Sequence, residues 1–192
     1  SLVDPAHPPP RAGQAAPAQR PPPAADVQYT RTRRVEVDEA ALEANRVIVG
    51  LANDARVEVY RQLRSQVLGA MRKAGWSTLA VTSPNEGAGK TLTALNLAIA
   101  MAQEVNQTVL LVDLDLRKPN LHTTLGIEVN QGIVDHLRGD VPIEDVLIAP
   151  GFPRLALVPG LPQGRHSSEL LSAPATYRFL DDVTRRYRDR YV

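Results

Sequence analysis

The segment best suited to chemistry is Gly87-Ala88-Gly89-Lys90-Thr91. Glycines at 87 and 89 permit backbone conformations and close approaches that a side chain forbids, so successive N–H groups can point at phosphate oxygens. A helix starting there adds its positive end. Lys90 can reach the β- and γ-phosphates of a nucleotide, and the Thr91 hydroxyl can ligand a magnesium ion. The candidate nucleotide contacts are therefore Glu86, Gly87, Ala88, Gly89, Lys90, Thr91 and Leu92. The full pattern G-x-x-x-x-G-K-[ST] is not met, because its first glycine falls on Pro84.

Two acids supply the second half of a possible site. In Leu110–Pro119 (LLVDLDLRKP), Asp113 and Asp115 stand two residues apart at the end of an apolar run. Residues at that spacing point the same way if a strand continues, so the pair is expected to converge on one site. Open α/β sheets bind ligands at the carboxyl ends of their strands, which is where both acids fall. One carboxylate can hold magnesium and the other can accept a proton from an attacking hydroxyl, the two tasks phosphoryl transfer sets for acids. Without a phosphate loop nearby, the same pair would read as solvated turn aspartates capping a helix.

The elements that must position these groups follow from periodicity. Ser77–Thr82 (STLAVT) is a short apolar and β-branched run, followed at once by the glycine loop and the helical pattern LTALNLAIAMAQE. Strand, loop and helix thus come in the order a phosphate loop requires. Thr108–Val112 (TVLLV) and Leu155–Val158 (LALV) read as buried strands. Short helices are expected over Ile133–Arg138, Ile143–Leu147 and Ser168–Leu171, and a longer one from Pro174 to about Tyr187. Arg190–Val192 looks like the approach to a further strand. Upstream, residues 54–71 form an amphipathic helix with Val57, Tyr60, Leu63, Val67 and Leu68 on one face. The expected fold is α/β, a P-loop NTPase-like, mostly parallel sheet with helices on both faces.

Composition bounds the alternatives. The 192 residues suffice for one domain and a tail. A 43% hydrophobic and 4% aromatic content requires a core of Leu, Val, Ile and Ala. A net charge of +1 gives no electrostatic reason to invoke nucleic acid. The absence of cysteine removes disulfides, thiolate metal sites and thiol nucleophiles. The longest apolar runs fall well short of the ~20 residues that span a bilayer. No basic segment followed by an apolar run marks a secretory signal at the N-terminus. Eight of the sixteen prolines lie between Pro5 and Pro23, so residues 1–30 are expected to be a disordered arm and residues 31–192 the domain. Arg31, Arg33 and Arg34 form a small basic cluster at the arm's edge.

SPNEGAGKT followed by LLVDLDLRKP resembles the Walker A and Walker A′ pair of bacterial tyrosine kinases of the polysaccharide co-polymerase type (BY-kinases, CpsD/CapB-like). Glu58-Val59-Tyr60-Arg61-Gln62-Leu63-Arg64 fits the E-x-x-R-x-x-R helix with which such kinases contact neighbouring subunits. GLPQG with Ser168–Ser172 is similar to the segment before the family's last core motif, and Thr30–Gly50 resembles the lead of exosortase-associated kinases. The resemblance implies an ATP- and magnesium-dependent protein tyrosine autokinase regulating exopolysaccharide or capsule biosynthesis or export. It assigns Lys90 to the phosphates, Thr91 and Asp113 to magnesium, Asp115 to the acceptor hydroxyl as base, and Arg117 to steadying the site. It places Glu58, Arg61 and Arg64 at the interface of a ring-like homo-oligomer, and implies a membrane-embedded activator or chain-length regulator. The protein would then be cytoplasmic, held at the inner membrane through that partner.

The family's Walker B strand and tyrosine-rich tail are not among these residues, so the domain is expected to be C-terminally incomplete. Two other readings remain. A MinD/ParA-like ATPase switch would carry a lysine where this chain has Asn85, and a non-catalytic nucleotide-binding scaffold would bind without turnover.

Overall fold

The computed structural model describes residues 32–51, 56–163, 167–186 and 189–192. The expected arm, together with Arg31, Asp54 and Tyr187, lies outside them. In chain order the elements are β1 (Arg33–Arg34), α1 (Glu39–Ala44), a 3-10 turn (Ile48–Gly50), α2 (Val57–Ala74), α3 (Lys90–Ala102) and β2 (Thr108–Val112). They continue with α4 (Leu121–Thr124), α5 (Ile133–Arg138), α6 (Ile143–Val146), β3 (Ile148–Ala149), β4 (Leu155–Val158), α7 (Ser167–Leu171), α8 (Pro174–Arg185) and β5 (Arg190–Tyr191).

The strands form one sheet in the order β1-β3-β4-β2-β5. All neighbours are parallel except β3 and β4. β2 sits between β4 and β5 with Val109 opposite Leu155 and Val112 opposite Val158. Strand side chains alternate between faces, and the packing follows that period of two. Val109, Leu155 and Leu157 join a core with α2 and α3, whereas Leu110, Ala156 and Val158 join a second core with α5, α6 and α8. The sheet is therefore covered on both faces, as the continuous apolar character of TVLLV and LALV requires.

On α2, Val57, Leu68 and Met71 are buried, and Tyr60, Leu63 and Val67 pack against the same core. The helix runs on to Ala74 and ends at Gly75, whose left-handed φ of 70° lets Trp76 N–H reach back to the Met71 carbonyl. α3 is buried from Leu95 to Ala102. Asn96, completely buried, ties this helix to the N-terminal lead: its Oδ1 accepts from Val49 N–H at 3.0 Å, and its Nδ2 donates to the carbonyls of Arg46 and Leu92.

One expected element differs. Residues 77–82 do not form a buried strand: Leu79 N–H donates to Val192 O and Val192 N–H to Ser77 O, while Leu79 and Val81 are each 37% exposed. Those two bonds fasten the segment around Thr78 beyond β5, and the described residues pair it no further. Without a continuous partner on either side, the apolar run stays at an edge. The structure also has β1, β3, α1, the 3-10 turn and α4, elements of two to six residues that the sequence reading does not include.

Candidate functional site

The loop between residue 82 and α3 owes its shape to two glycines. Gly87 and Gly89 adopt φ of 73° and 85°, conformations an L side chain rarely tolerates. Inside the loop, Ser83 Oγ donates to the Asn85 carbonyl at 2.9 Å. α3 begins at Lys90, and no side chain caps its first turn. Its orphan N–H groups and positive end are thus open to an anion. Thr91 is half-buried on that first turn. Leu92 turns its side chain to the core, so what it can offer a nucleotide is its main-chain N–H.

The chain leaves β2 at Val112, and from there the two acids part. Asp113 is 9% exposed and folds back on its own loop: Oδ1 accepts from Asp115 N–H and Oδ2 from Leu121 N–H, both at 3.1 Å. Burial raises its carboxyl above the ordinary carboxylate value, against the pull of those backbone N–H groups. Asp115 alone meets the lysine, with Oδ2 2.6 Å from Lys90 Nζ. The Lys90 hydrogen bond holds Asp115 below the usual carboxylate value, and the same bond raises Lys90. The two carboxylates share a loop and both act on Lys90, but only Asp115 bonds it. The strand would have to continue through Asp115 for the two to stay parallel, and it does not.

Two residues that spacing alone did not single out complete the geometry. Lys118 N–H donates to Asp115 Oδ1 at 3.1 Å, while its ammonium pairs with Glu86 of the glycine loop. Gly160 lies so close to the second loop that a Cβ there would stand 3.0 Å from Asp113 O and 2.8 Å from a Pro119 carbon. The clue to Gly160 was its place in GLPQG just after a buried strand. Lys118 and Glu86 are 32 residues apart, and nothing local joins them. Arg117 is exposed.

Thr91 and Asp113 offer oxygen donors of the kind a hard cation takes. Asp113 accepts backbone N–H groups on both oxygens, and a carboxylate's roughly four lone-pair sites leave room for a metal or its water. A magnesium ion would take its remaining ligands from phosphate and water. No group of three or more His, Asp or Glu residues placed to hold a metal occurs among the described residues.

On α2, Glu58 and Arg61 form an exposed ion pair at 3.4 Å. Arg64 does not share that surface. It donates to the Ala100 carbonyl of α3 at 3.3 Å, pairs with Glu104, and is only 19% exposed. A cleft of about 920 Å³ opens between the N-terminal lead and α2, with Leu42, Val57, Arg61 and Phe152 in its walls. It includes none of the glycine-loop residues. The glycine loop is open to solvent rather than enclosed, so the cleft does not mark it.

Comparison with known proteins identifies the family. The family model "CobQ/CobB/MinD/ParA nucleotide binding domain" matches residues 79–185, more than half of the chain. The putative tyrosine-protein kinase EpsB of Ralstonia nicotianae is 35% identical over 140 residues, which cover 70% of this chain and 18% of that protein. The tyrosine-protein kinase YwqD of Bacillus subtilis is 34% identical over 116 residues, 60% of this chain and 48% of its own. The crystal structure of the chimerical protein CapA2B2 superimposes with a TM-score of 0.68 at 26% identity, covering 83% of this chain and 67% of that one. The chain thus spans less than half of the length of these two curated relatives. With the family model reaching from the edge segment before the glycine loop to the end of α8, the protein belongs to the CobQ/CobB/MinD/ParA nucleotide-binding domain family, and its relatives are bacterial tyrosine-protein kinases.

Proposed function

We propose that this chain is the nucleotide-binding part of an ATP- and magnesium-dependent protein tyrosine autokinase that regulates exopolysaccharide or capsule biosynthesis or export. The observation that carries the reading is the 2.6 Å contact between Lys90 and Asp115. It supports the reading because a lysine able to bind phosphate and an acid able to take a hydroxyl proton meet between two loops, the pair of groups phosphoryl transfer to an alcohol uses.

Glu86 to Leu92 would hold the ATP phosphates through backbone N–H groups and Lys90. Thr91 and Asp113 would hold magnesium, which when bound neutralises charge on the phosphates. Asp115 would accept the proton of the acceptor tyrosine, and Arg117 would steady the site. Catalysis of this kind rests on positioning and charge more than on covalent chemistry. Self-association would use Glu58 and Arg61 of α2. No helix among the described residues is long and apolar enough to cross a membrane. A membrane-embedded activator or chain-length regulator would hold the protein at the cytoplasmic face of the inner membrane.

The test is phosphotyrosine formation by the complete gene product with ATP and magnesium. Wild type should accumulate phosphotyrosine, and Lys90→Met should not. Hydrolysis without phosphotyrosine would replace this reading with an ATPase switch. Tight binding with neither reaction would leave a scaffold.

A further inference from the structure

Three acids bear on Lys90, and Asp115 is the one that bonds it. Asp113 and Glu86 both bear on the lysine electrostatically. The oxygens of Asp113 already receive Leu121 and Asp115 N–H groups, and Glu86 is paired with Lys118. Asp115 occupies the lysine through Oδ2 while its Oδ1 holds the Lys118 main chain. The contacts therefore close a circuit: from the glycine loop through Lys90 to Asp115, along the second loop to Lys118, and back through Glu86 to the glycine loop. The Lys90 and Asp115 side chains are 30% and 23% exposed, so this inner pair is partly shielded from solvent, whereas Lys118 and Glu86 are exposed at 67% and 70%.

We infer that Asp115 is a built-in anionic occupant of the phosphate site, so that nucleotide binds by exchange: a phosphate takes Lys90 from Asp115, and the released carboxylate becomes available to an acceptor hydroxyl. This deepens the proposed function and rests on it. Lys90 stands at the first position of α3, where the open N–H groups also favour an anion. An arriving phosphate and the Asp115 carboxylate compete for one ammonium and repel one another. As long as the site is empty, the acid assigned to the hydroxyl is engaged elsewhere. Exchange thus imposes an order, nucleotide before acceptor.

The experiment is calorimetric titration with ADP in EDTA, so that magnesium does not mask the competition. Asp115→Asn keeps the side-chain shape and an oxygen for Lys118 N–H but gives up the charge. It should bind ADP about fivefold more tightly than wild type, the change that ~1 kcal/mol of lost competition makes. Glu86→Gln removes an equal charge near Lys90 and releases Lys118 but keeps the Lys90–Asp115 pair, and should gain less than about twofold by the same reasoning. A second measurement reads the lysine itself: with the site empty, acylation of Lys90, followed by mass spectrometry, should be faster in folded Asp115→Asn than in wild type. Exchange is overturned if Asp115→Asn binds ADP no better than wild type, if Glu86→Gln gains as much, or if acylation is unchanged; in each case wild-type ADP binding leaves the nucleotide reading standing. Failure of wild type to bind ADP both in EDTA and with magnesium restored would remove the proposed function, and this inference with it; binding only with magnesium would overturn exchange alone.

Discussion

At its C-terminal end α3 hands four consecutive carbonyls to side chains, whereas at its N-terminal end no side chain caps it at all. Arg64 donates to Ala100 O, Gln107 Nε2 to Met101 O, and Arg154 to the carbonyls of Ala102 and Gln103. At the other end Gly89 has no side chain to offer, and the loop before it is exposed. Every helix leaves about four orphan groups at each terminus. Here one terminus is closed by three side chains from elsewhere in the fold, and the other is left for a ligand. The difference separates what holds α3 in place from what α3 is held in place to do. Changes at the closed end and in the middle should cost stability and spare nucleotide affinity, while changes at the open end should do the reverse.

The largest effect is expected where the helix is fixed to the N-terminal lead. Asn96→Leu is close in size but removes the partner of Val49 N–H, which is buried, and that of the Arg46 carbonyl, which is partly buried. Leaving such groups unpaired costs about 1 to 3 kcal/mol each, so a total loss of roughly 3 kcal/mol is expected in urea denaturation. ADP affinity measured well below the melting range should be unchanged. A stable Asn96→Leu with weakened binding would mean that the two ends of α3 are not independent.

Lys90→Met works from the other side. A charge-assisted phosphate contact is worth ~1.5 to 3 kcal/mol, so ADP affinity should fall tens-fold. The folded protein should lose at most about 1 kcal/mol, because the ion pair with Asp115 is partly solvated. Calorimetry and a melting curve on the same sample separate the two. Unchanged affinity in a folded variant would take Lys90 out of the site.

These two residues also differ in how much of their role is local to the sequence. Lys90 stands in a local pattern whose glycines, lysine and following helix announce one another, and β2, β4 and α5 match their expected bounds because continuous apolar runs and a clear helical period are local properties. Asn96 carries no such mark. Its meaning lies in partners about 47 to 50 residues away, and in the sequence it is one polar residue in an apolar helix. The parting of Asp113 and Asp115 was hidden for a related reason: it depends on β2 stopping at Val112, and strand ends are set by what pairs alongside. The segment 77–82 failed as a buried strand on the same account, since its composition suits a sheet interior but its only described pairing is with Val192.

A smaller effect is expected at the closed end. Arg154 holds a left-handed φ of 62° and spends its guanidinium on two carbonyls of the α3 terminus. Arg154→Ala keeps the unfavourable backbone and loses both bonds, so about 1 to 2 kcal/mol of stability should go. The Gln103 carbonyl can turn to water, which limits the loss. ADP affinity should again stay within error, and a drop would show that disorder at one end of the helix reaches the other.

The smallest effect on stability, and the sharpest separation of fold from assembly, belongs to α2. Three charges were expected to face outward there, but Arg64 is engaged with α3, so reversing it would damage the closed end and confuse any measurement of association. Glu58 and Arg61 remain, 60% and 54% exposed and paired only loosely at 3.4 Å. A solvated pair of this kind contributes ~0 to 1 kcal/mol. If α2 is a contact in a head-to-tail ring, its charges must meet a different patch on the neighbouring copy, and their sign matters. Exchanging the pair as Glu58→Arg with Arg61→Glu keeps an ion pair within the helix while reversing what the neighbour sees. Stability should shift by no more than about 0.5 kcal/mol, apart from a small loss from placing the positive charge nearer the helix N-terminus. Sedimentation velocity of the complete gene product with ATP and magnesium should show wild type as a larger species and the exchanged variant as monomer. Equal distributions for the two proteins would make Glu58 and Arg61 an ordinary solvated face, and would leave the tie between Arg64 and α3 as what this helix contributes.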